Sequence, residues 1–518
     1  MLRKLFYGVT GLLVVTASLV ALLLVWPLPE IPQHGRSGDF LIHDVAVVDV
    51  ESGGLRRNRD VVVRDGLIHS IGPAGKGPRD DALIAVNGAG KYLIPGLWDM
   101  HTHSTKLSAQ YQHPLFVANG VTGVRELWGC MSEPDSFMAC IDDRQDWNDA
   151  LDEHSGLSPR YVGQSSFQIN GGNEVPAGFP EFFKARNAEE ARRLVDFYAG
   201  AGADILKTYS ELSPEAYQAL AEAARTQGLS LQGHRPVKVS FGEMLAAGQR
   251  SVEHPRLFLF ECHAGAAEFR ALDRPLAAYN PEFRRRLVDE HDEERCRILI
   301  EELADSDTWW TPTLQVLRIG VLAGDPAFRD DPRLKYVPYL FRELMWMPDA
   351  DRKAADAHDE SGRNVYAAMY ELALAHVGSA HAAGAKILAG TDAFDSYVFP
   401  GFAIHDELTE FVAAGLSPLD ALRAATIDAA VFSGVEDRFG SIAVGKAADM
   451  ILLDADPLAD IRNTQSINAV FFNGQYFDRS VLDDLLAFAD RQAGSLRYNL
   501  HILWAALRSP LIRVQFAD

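Results

Sequence analysis

The sequence is poor in positive charge. It contains 49 Lys and Arg residues against 71 Asp and Glu residues, which gives a formal net charge of −22. Nucleic acids bind basic surfaces because their backbones are polyanions, so this balance argues against a nucleic-acid partner. The remaining composition, 47% hydrophobic and 23% charged, is typical of a globular protein. A chain of 518 residues has room for roughly two to four domains.

The sequence is also poor in cysteine. Its four cysteines, Cys130, Cys140, Cys262 and Cys296, do not have the spacing of a zinc ribbon. In an oxidising compartment, Cys130 could pair with Cys140 and Cys262 with Cys296. Other pairings are equally compatible with the spacing, so the sequence leaves the disulfide state open.

One stretch near the N-terminus lacks charge altogether. It runs from Leu5 to Leu28 and follows Arg3 and Lys4. An apolar helix of about 20 residues can cross a bilayer, and basic residues hold its short end in the cytoplasm. Residues 1–30 are therefore predicted to be a transmembrane anchor, with the catalytic part outside the cytoplasm, in the periplasm if the chain is bacterial. The alternative is a signal segment that is cleaved on export.

Short β-rich segments lie at both ends of the rest of the chain. Residues 38–95 and 433–480 contain apolar, β-branched runs that are separated by glycine-containing turns. Neither set can bury a face alone, so the two are predicted to form one composite β-sandwich rather than separate hairpins.

Residues 481–518 are predicted to be a helical tail. Its amphipathic part could rest on a membrane, pack on the protein or lie in an oligomer interface.

The segment between these β-rich parts, residues 96–432, alternates strands and helices. Eight strand-like runs begin near residues 96, 122, 161, 204, 230, 251, 309 and 386. Eight such units predict an α/β fold with a (β/α)8 TIM-like barrel, whose active site lies at the carboxyl ends of the strands. An open doubly wound sheet would require a glycine-rich phosphate turn after its first strand, and none is present there.

Side chains that can ligate metals end several of these predicted strands. His101 and His103 lie two residues apart on the first strand, so they point to the same side, and imidazole is a common metal ligand. A buried lysine such as Lys207 is costly unless its charge is paired or removed. The predicted metal site consists of His101, His103, Lys207, His234, His254 and Asp392.

These residues resemble those of the amidohydrolase superfamily, in particular its imidazolonepropionase-like and Xaa-Pro dipeptidase-like branch. The shared motifs are the His-x-His after Pro95-Gly96, the lysine and histidines that end the next strands, and Gly390-Thr391-Asp392. The segment 440–449, Gly-Ser-Ile-Ala-Val-Gly-Lys-Ala-Ala-Asp, resembles the superfamily's return into its sheet domain. The resemblance covers nearly the whole chain after the N-terminal run.

The resemblance implies a hydrolase of carbon–nitrogen bonds with two zinc ions bridged by Lys207, whose amine would be carboxylated. The two ions would be held, respectively, by His101, His103 and Asp392, and by His234 and His254. Paired ions would activate a hydroxide and polarise a carbonyl. Asp392 would act first as general base and then as general acid towards the leaving nitrogen. The implied substrate is a dipeptide, such as one of the Xaa-Pro type, or another small amide.

Two other interpretations stay open. If Lys207 keeps its ammonium, it cannot ligate a metal. The site would then be mononuclear and suited to ring opening or deamination of a cyclic amidine or lactam, as in imidazolonepropionase-like relatives. The remaining interpretation is a binding barrel without catalysis, which would be expected to lack ligands, and none of the six is missing.

The predicted substrate contacts are Tyr209 and Arg235. Tyr209 lies two residues after Lys207, so strand alternation points both side chains to the same side. Arg235 could bind a substrate carboxylate or, alternatively, form a salt bridge with an acidic loop residue.

Residues 324–359 are rich in aromatic side chains. They could form a lid over the barrel or pack locally against the protein. Whether the chain forms a homo-oligomer is left open.

Overall fold

The computed structural model describes residues 2–32, 35–76, 80–129, 135–171 and 184–509. The strands in these residues are β1 Arg36–Ser37, β2 Phe40–Val48, β3 Leu55–Arg64, β4 Leu67–Pro73, β5 Ile84–Asn87, β6 Tyr92–Pro95, β7 Leu97–Thr102, β8 Val121–Glu126, β9 Arg160–Tyr161, β10 Ile205–Thr208, β11 Ser230–Gly233, β12 Ser251–Glu253, β13 Trp309–Thr311, β14 Met450–Leu453, β15 Ile467–Phe472 and β16 Gln475–Asp478.

The α-helices in the same residues are α1 Leu2–Val25, α2 Gln112–Ala118, α3 Ile141–Asp152, α4 Ala188–Gly200, α5 Pro214–Gln227, α6 Phe241–Ala247, α7 Arg256–Glu261, α8 Ala266–Ala271, α9 Pro281–Asp289, α10 Glu293–Ala304, α11 Leu314–Leu322, α12 Pro326–Arg329, α13 Tyr339–Phe341, α14 Met347–Ala355, α15 Val365–Ala382, α16 Ala403–Ala413, α17 Pro418–Ala424, α18 Ile427–Ser433, α19 Arg479–Ala493 and α20 Leu496–Arg508. Cys130 and the end of the predicted tail, residues 510–518, lie outside the described residues.

The uncharged N-terminal run is helical, as α1. Within the described part of the chain, however, none of the helices has the combined length and hydropathy that a bilayer crossing requires. The predicted transmembrane helix is therefore not supported by the structure.

Strands from the two ends of the chain share one sheet. Its order is β1-β16-β15-β14-β6-β2-β3-β4, with β5 paired to β2. The two halves meet where β14 runs antiparallel to β6, with Met450 opposite Pro95 and Leu453 opposite Tyr92. Alternate residues of β2, such as Phe40 and Ile42, are fully buried in an apolar core on one side of this sheet.

Parallel strands in the middle of the chain form the barrel. β7, β8 and β9 make one ladder, and β10, β11, β12 and β13 make another. Parallel bridges close the ring from Ser165 to Ile205, from Trp310 to Ile387 and from Thr102 to Ala393.

Two of the eight predicted strands differ from the regular pattern. The run near residue 161 keeps only the short β9 and then single bridges at Ser165 and Ile169. The run from residue 386 also makes only single bridges, although Met100 donates a backbone hydrogen bond to Ala389 O. Between the bridges at Ile387 and Ala393 lies Asp392, whose φ of 66° is in the left-handed region and interrupts a regular ladder.

Local signals delimit the helices that follow the barrel strands. α5 begins after Ser213, whose side chain accepts a hydrogen bond from Ala216 N, and it ends at Gly228 with φ 72°. α6 begins after Ser240, which forms a capping box with Glu243. Such caps satisfy backbone groups that have no partner at helix ends, and they fix where each strand re-enters the barrel.

A helical excursion follows β12 and contains α7 to α10. The predicted pairing of Cys262 with Cys296 is confirmed, and this disulfide joins the start and the end of the excursion. The predicted pairing of Cys140 with Cys130 stays a prediction, because Cys130 lies outside the described residues.

Candidate metal centre

The carboxyl ends of the barrel strands bring four of the predicted ligands together around one carboxylate. Oδ1 of Asp392 lies 2.6 Å from Nε2 of His103 and 3.3 Å from Nε2 of His101. Its Oδ2 lies 3.6 Å from Nδ1 of His254. All of these side chains are buried or nearly so. Residues from β7, the end of β12 and the segment after residue 386 thus converge, although they are up to 291 positions apart in sequence.

The fifth predicted ligand, His234, faces His254. Their Nε2 atoms are 2.9 Å apart, and their rings are nearly perpendicular. Nδ1 of His234 lies 2.8 Å from Ser210 Oγ, and Nδ1 of His254 lies 2.8 Å from Thr313 Oγ1. When Thr313 accepts a hydrogen bond from Nδ1–H of His254, the Nε2 atom of that ring keeps a free lone pair. The Nδ1 atom of His234 also lies 3.1 Å from the guanidinium of Arg256, which can only donate a hydrogen bond.

His101 is held in the same way. Its Nδ1 lies 3.0 Å from Glu253 Oε2, which accepts its hydrogen, and its buried Nε2 makes no hydrogen bond to any residue that the structure describes. Metal-binding histidines almost always hold their outer nitrogen to an acceptor in this manner. Oδ1 of Asp392 is likewise buried, and it forms a close ion pair with His103. These atoms fit a site for divalent metal.

Burial sets the protonation of the histidines. It lowers the pKa of His101 to about 4, against the attraction of Asp392, and it lowers those of His234 and His254 well below the usual value. The three rings are neutral at pH 7, as metal ligation requires. Burial also acts to lower the pKa of His103, but the adjoining Asp392 carboxylate outweighs it and raises that pKa to about 9. The Asp392 carboxylate therefore draws a cation to this place.

Lys207 ends β10 beside these residues and is 1% exposed. Burial lowers the pKa of its amine to about 8, although the carboxylates of Glu253 and Asp392 oppose that shift. A pKa of that value leaves part of the side chain as neutral amine near pH 7, and only the neutral form is a nucleophile. The structure thus places all six predicted ligands around one cavity.

Two residues that hold this site together were missed by the sequence reasoning. Glu253 directly precedes His254, and both of its oxygens accept hydrogen bonds from Arg125 at 3.0 Å. The same guanidinium donates to Gln232 and Ser251 on neighbouring strands. A Glu and an Arg inside predicted barrel strands, where apolar residues are expected, were the signal that could have identified them.

The cavity at this end of the barrel has a volume of about 490 Å³. Tyr209, a predicted substrate contact, lines it and stacks on His234 with ring centroids 4.3 Å apart. The aromatic insertion packs locally, as one of its two predicted roles requires, and its role as a lid stays a prediction. Trp346 is fully buried in the core, whereas Asp349 and Lys353 on α14 line the cavity.

Arg235, the other predicted substrate contact, does not line this cavity. Its guanidinium forms an ion pair with Glu261 at 2.9 Å and turns back to the carbonyl oxygens of its own loop. It points away because consecutive residues of an extended chain face opposite sides, and His234 takes the side of the cavity. Arg256 lies in the cavity wall instead, 3.1 Å from His234 Nδ1, and it forms no ion pair among the described residues.

Unusual backbone conformations are concentrated here. His254 has φ 73°, Asp392 has φ 66° and Thr313 has φ 45°, all in the left-handed region. Non-glycine residues are uncommon in that region, and such positions cluster at functional sites.

A second group of possible ligands consists of Cys262, Cys296 and His376. Its two cysteines form the disulfide, so they do not offer thiolates to a metal.

Comparisons with known proteins agree with this geometry. Residues 371–476 match the model of the amidohydrolase family. A dihydroorotase from Desulforapulum autotrophicum is 23% identical over 199 residues, which is 36% of this chain and 46% of that protein. The chain therefore matches less than half the length of this curated relative.

Solved structures resemble the chain over most of its length. Bottromycin amidohydrolase superimposes with a TM-score of 0.66 at 23% identity, covering 89% of this chain and 91% of that one. An Xaa-Pro dipeptidase with methionine bound in its active site superimposes with a TM-score of 0.59 at 20% identity, covering 85% of this chain and 100% of that one. These similarities establish the TIM-barrel-like fold.

Proposed function

We propose that this chain, which belongs to the amidohydrolase superfamily, is a metal-dependent hydrolase that cleaves a carbon–nitrogen bond. The observation that carries the proposal is the set of inward-facing nitrogens around Asp392. Four histidines present ring nitrogens to one place, and three of them have their outer nitrogen beside an oxygen acceptor. A barrel kept only for binding would have no need of this arrangement.

The residues that would hold metal are those that the sequence predicted. His101, His103 and Asp392 would hold one zinc ion, and His234 and His254 the other. Lys207 would join the two sites after its neutral amine forms a bond to the carbon of CO2 and releases a proton, which leaves a carbamate. Bound zinc ions supply positive charge that lowers the pKa of a water molecule towards neutrality and polarises a substrate carbonyl.

Asp392 is the proposed proton carrier. Its carboxylate lies at the centre of the site, and the surrounding histidines hold its pKa well below the usual value, even though burial acts to raise it. It therefore starts the reaction ionised and can accept a proton from the attacking water. Passing that proton to the departing nitrogen turns a poor leaving group into a neutral amine.

The proposed substrate is a dipeptide or an acylated amino acid, with Xaa-Pro dipeptides as the most concrete candidates. A cavity of about 490 Å³ is of the size that encloses a small molecule. Arg256 offers a cation that no described carboxylate neutralises, so it suits a substrate carboxylate. Tyr209 supplies an aromatic wall and a hydroxyl beside His234.

A second candidate is the hydrolysis of a ring, and the match to a dihydroorotase favours it. In that case Lys207 would keep its amine uncarboxylated, and the site would be mononuclear, with His101, His103, His234 and Asp392 as ligands. The two candidates share the general hydrolytic chemistry and differ in the metal count and in the product.

Localisation outside the cytoplasm is part of the proposal. The disulfide between Cys262 and Cys296 supports it, because disulfides persist mainly in oxidising compartments. Attachment to a membrane through the N-terminal segment, or release after cleavage of that segment, would both be compatible with this localisation.

The test is a product assay with the zinc-loaded protein. Xaa-Pro dipeptides, N-acyl amino acids and cyclic amides are offered separately, and the released amines or ring-opened products are identified by mass spectrometry. Wild type is expected to cleave a linear amide, and Asp392→Asn is expected to fail while the exposed control Asp437→Asn stays active. Turnover of cyclic amides alone would favour the second candidate, and no turnover in any class would contradict the proposal.

A further inference from the structure

The C-terminal helix α20 is apolar on both of its faces. Tyr498, Ile502 and Ala505 are buried against the protein. The outer face carries three leucines at helical spacing. They are Leu496, which is 71% exposed, Leu503, which is 39% exposed, and Leu507, which is 58% exposed. A helix at a water-exposed surface normally has polar residues there, so this face is suited to contact with something other than water.

The N-terminal helix α1 packs beside α20 and extends the same surface. Nε2 of His501 on α20 lies 3.2 Å from the carbonyl oxygen of Leu23. In the middle of α1, the consecutive residues 12 to 15 (Leu, Leu, Val, Val) are 56–68% exposed. Since each residue of a helix is rotated by about 100° from the last, four consecutive exposed positions cover its whole circumference. No part of the chain that the structure describes covers a side of α1 at this point.

The charge of these two helices is opposite to that of the chain. They contain Arg3, Lys4, Arg497 and Arg508 and no Asp or Glu, whereas the formal net charge of the chain is −22. Basic residues beside an apolar surface attract the anionic headgroups of a bilayer.

Aromatic side chains with a polar end lie at the edge of the surface. Trp504 is 49% exposed, and the guanidinium of Arg508 lies 5.7 Å from its ring. Tyr339 is 53% exposed and precedes Leu340, whose backbone N–H donates to Asn499 of α20 at 3.0 Å. Trp and Tyr are enriched where apolar lipid meets the headgroups.

We infer that α1 and the outer face of α20 together form a docking surface for a lipid bilayer that contains anionic phospholipid. The exposed apolar side chains of the two helices suit the acyl layer near the bilayer surface, and their basic residues suit the anionic headgroups. The chain also connects this surface to the cavity of the proposed active site. Tyr339 begins a continuous segment that leads into α14, whose Asp349 and Lys353 line the catalytic cavity.

The test measures whether Trp504 lies in lipid. The full-length protein is reconstituted with vesicles of phosphatidylcholine and phosphatidylglycerol, with and without bromine on the acyl chains, which quenches nearby tryptophan. Wild type is compared with Trp504→Phe, and the difference between them is the emission of Trp504. The matched control is Trp309→Phe, which removes a half-buried tryptophan that packs on Phe432 at the start of a barrel strand.

Brominated lipid is expected to quench the Trp504 difference emission strongly and the Trp309 difference emission weakly or not at all. The double variant Leu503→Glu/Leu507→Glu should lose the quenching of Trp504, because two charges would hold this face out of the apolar layer. Equal emission of Trp504 in brominated and ordinary vesicles would overturn the inference. A dimer in solution that buries the outer face of α20, and that the double variant abolishes, would also overturn the inference. The partner on this face would then be a second copy of the chain.

Discussion

Two buried regions of this molecule are built on opposite principles. The core of the composite sheet is formed by apolar side chains such as Phe40 and Phe471, whose rings pack edge to face with centroids 5.6 Å apart. The centre of the barrel instead buries Arg125, Lys207 and Glu253, each at most 3% exposed. Burying charged groups costs desolvation free energy, which their pairing offsets only in part. The sheet core, in contrast, stabilises the fold by removing apolar surface from water.

The comparison indicates where function resides. Substitutions in the sheet core should change stability without touching the reaction, and substitutions at the barrel centre should change the reaction even where stability is kept.

The largest effect is expected from Asp392→Asn. Asparagine keeps the size of the side chain and tolerates the left-handed backbone at φ 66°, so the fold should persist. It cannot accept the proton of the attacking water, and loss of a general base costs about 10²–10⁴-fold in rate. The measurement is kcat together with circular dichroism. Activity within a few-fold of wild type would show that the proton is carried elsewhere.

The next effect is expected from Arg125→Met, which leaves the Glu253 carboxylate buried without its partner. Breaking one side of a buried ion pair costs about 3–5 kcal/mol, so the urea midpoint should fall accordingly. Adding Glu253→Gln should recover much of that loss, since the uncompensated charge is removed. A double variant as unstable as the single one would mean that the cost arises from packing.

Removal of the disulfide by Cys262→Ser with Cys296→Ser should lower stability by about 2–4 kcal/mol. The bond lies at the base of the helical excursion, outside the ligand set, so kcat of the folded variant should be unchanged. Unfolding is followed with and without reductant. A variant whose midpoint matches that of oxidised wild type would show that the bond does not constrain the unfolded chain.

The smallest effect is expected from Ile42→Val in the sheet core. Ile42 is fully buried, and the loss of one methylene group there costs about 0.5–1.5 kcal/mol. Neither metal content nor kcat should change. A reduction in metal content would show that the sheet core and the barrel centre are coupled.

The sequence alone predicted the elements with regular patterns and failed where long-range contacts decide. His101 and His103 lie two residues apart, so local spacing was sufficient to predict that they come together, although β7 ends at Thr102, between them. The outward turn of Arg235 depends on its ion pair with Glu261 at the end of α7, which spacing does not encode. Arg125 and Glu253 pair across barrel strands that lie 128 residues apart in sequence, so their pairing could not be deduced from local pattern.

The central claim is that Lys207 joins two metal sites, and metal content tests it most directly. Wild type, Lys207→Ala and the control Lys386→Ala, which removes a lysine paired with Asp307 at the start of a barrel segment, are produced with zinc and bicarbonate and examined by elemental analysis. The account predicts about two zinc ions per chain in wild type and control, with a marked fall in Lys207→Ala. One zinc ion per chain in all three proteins would contradict the two-metal site and favour the mononuclear ring hydrolase.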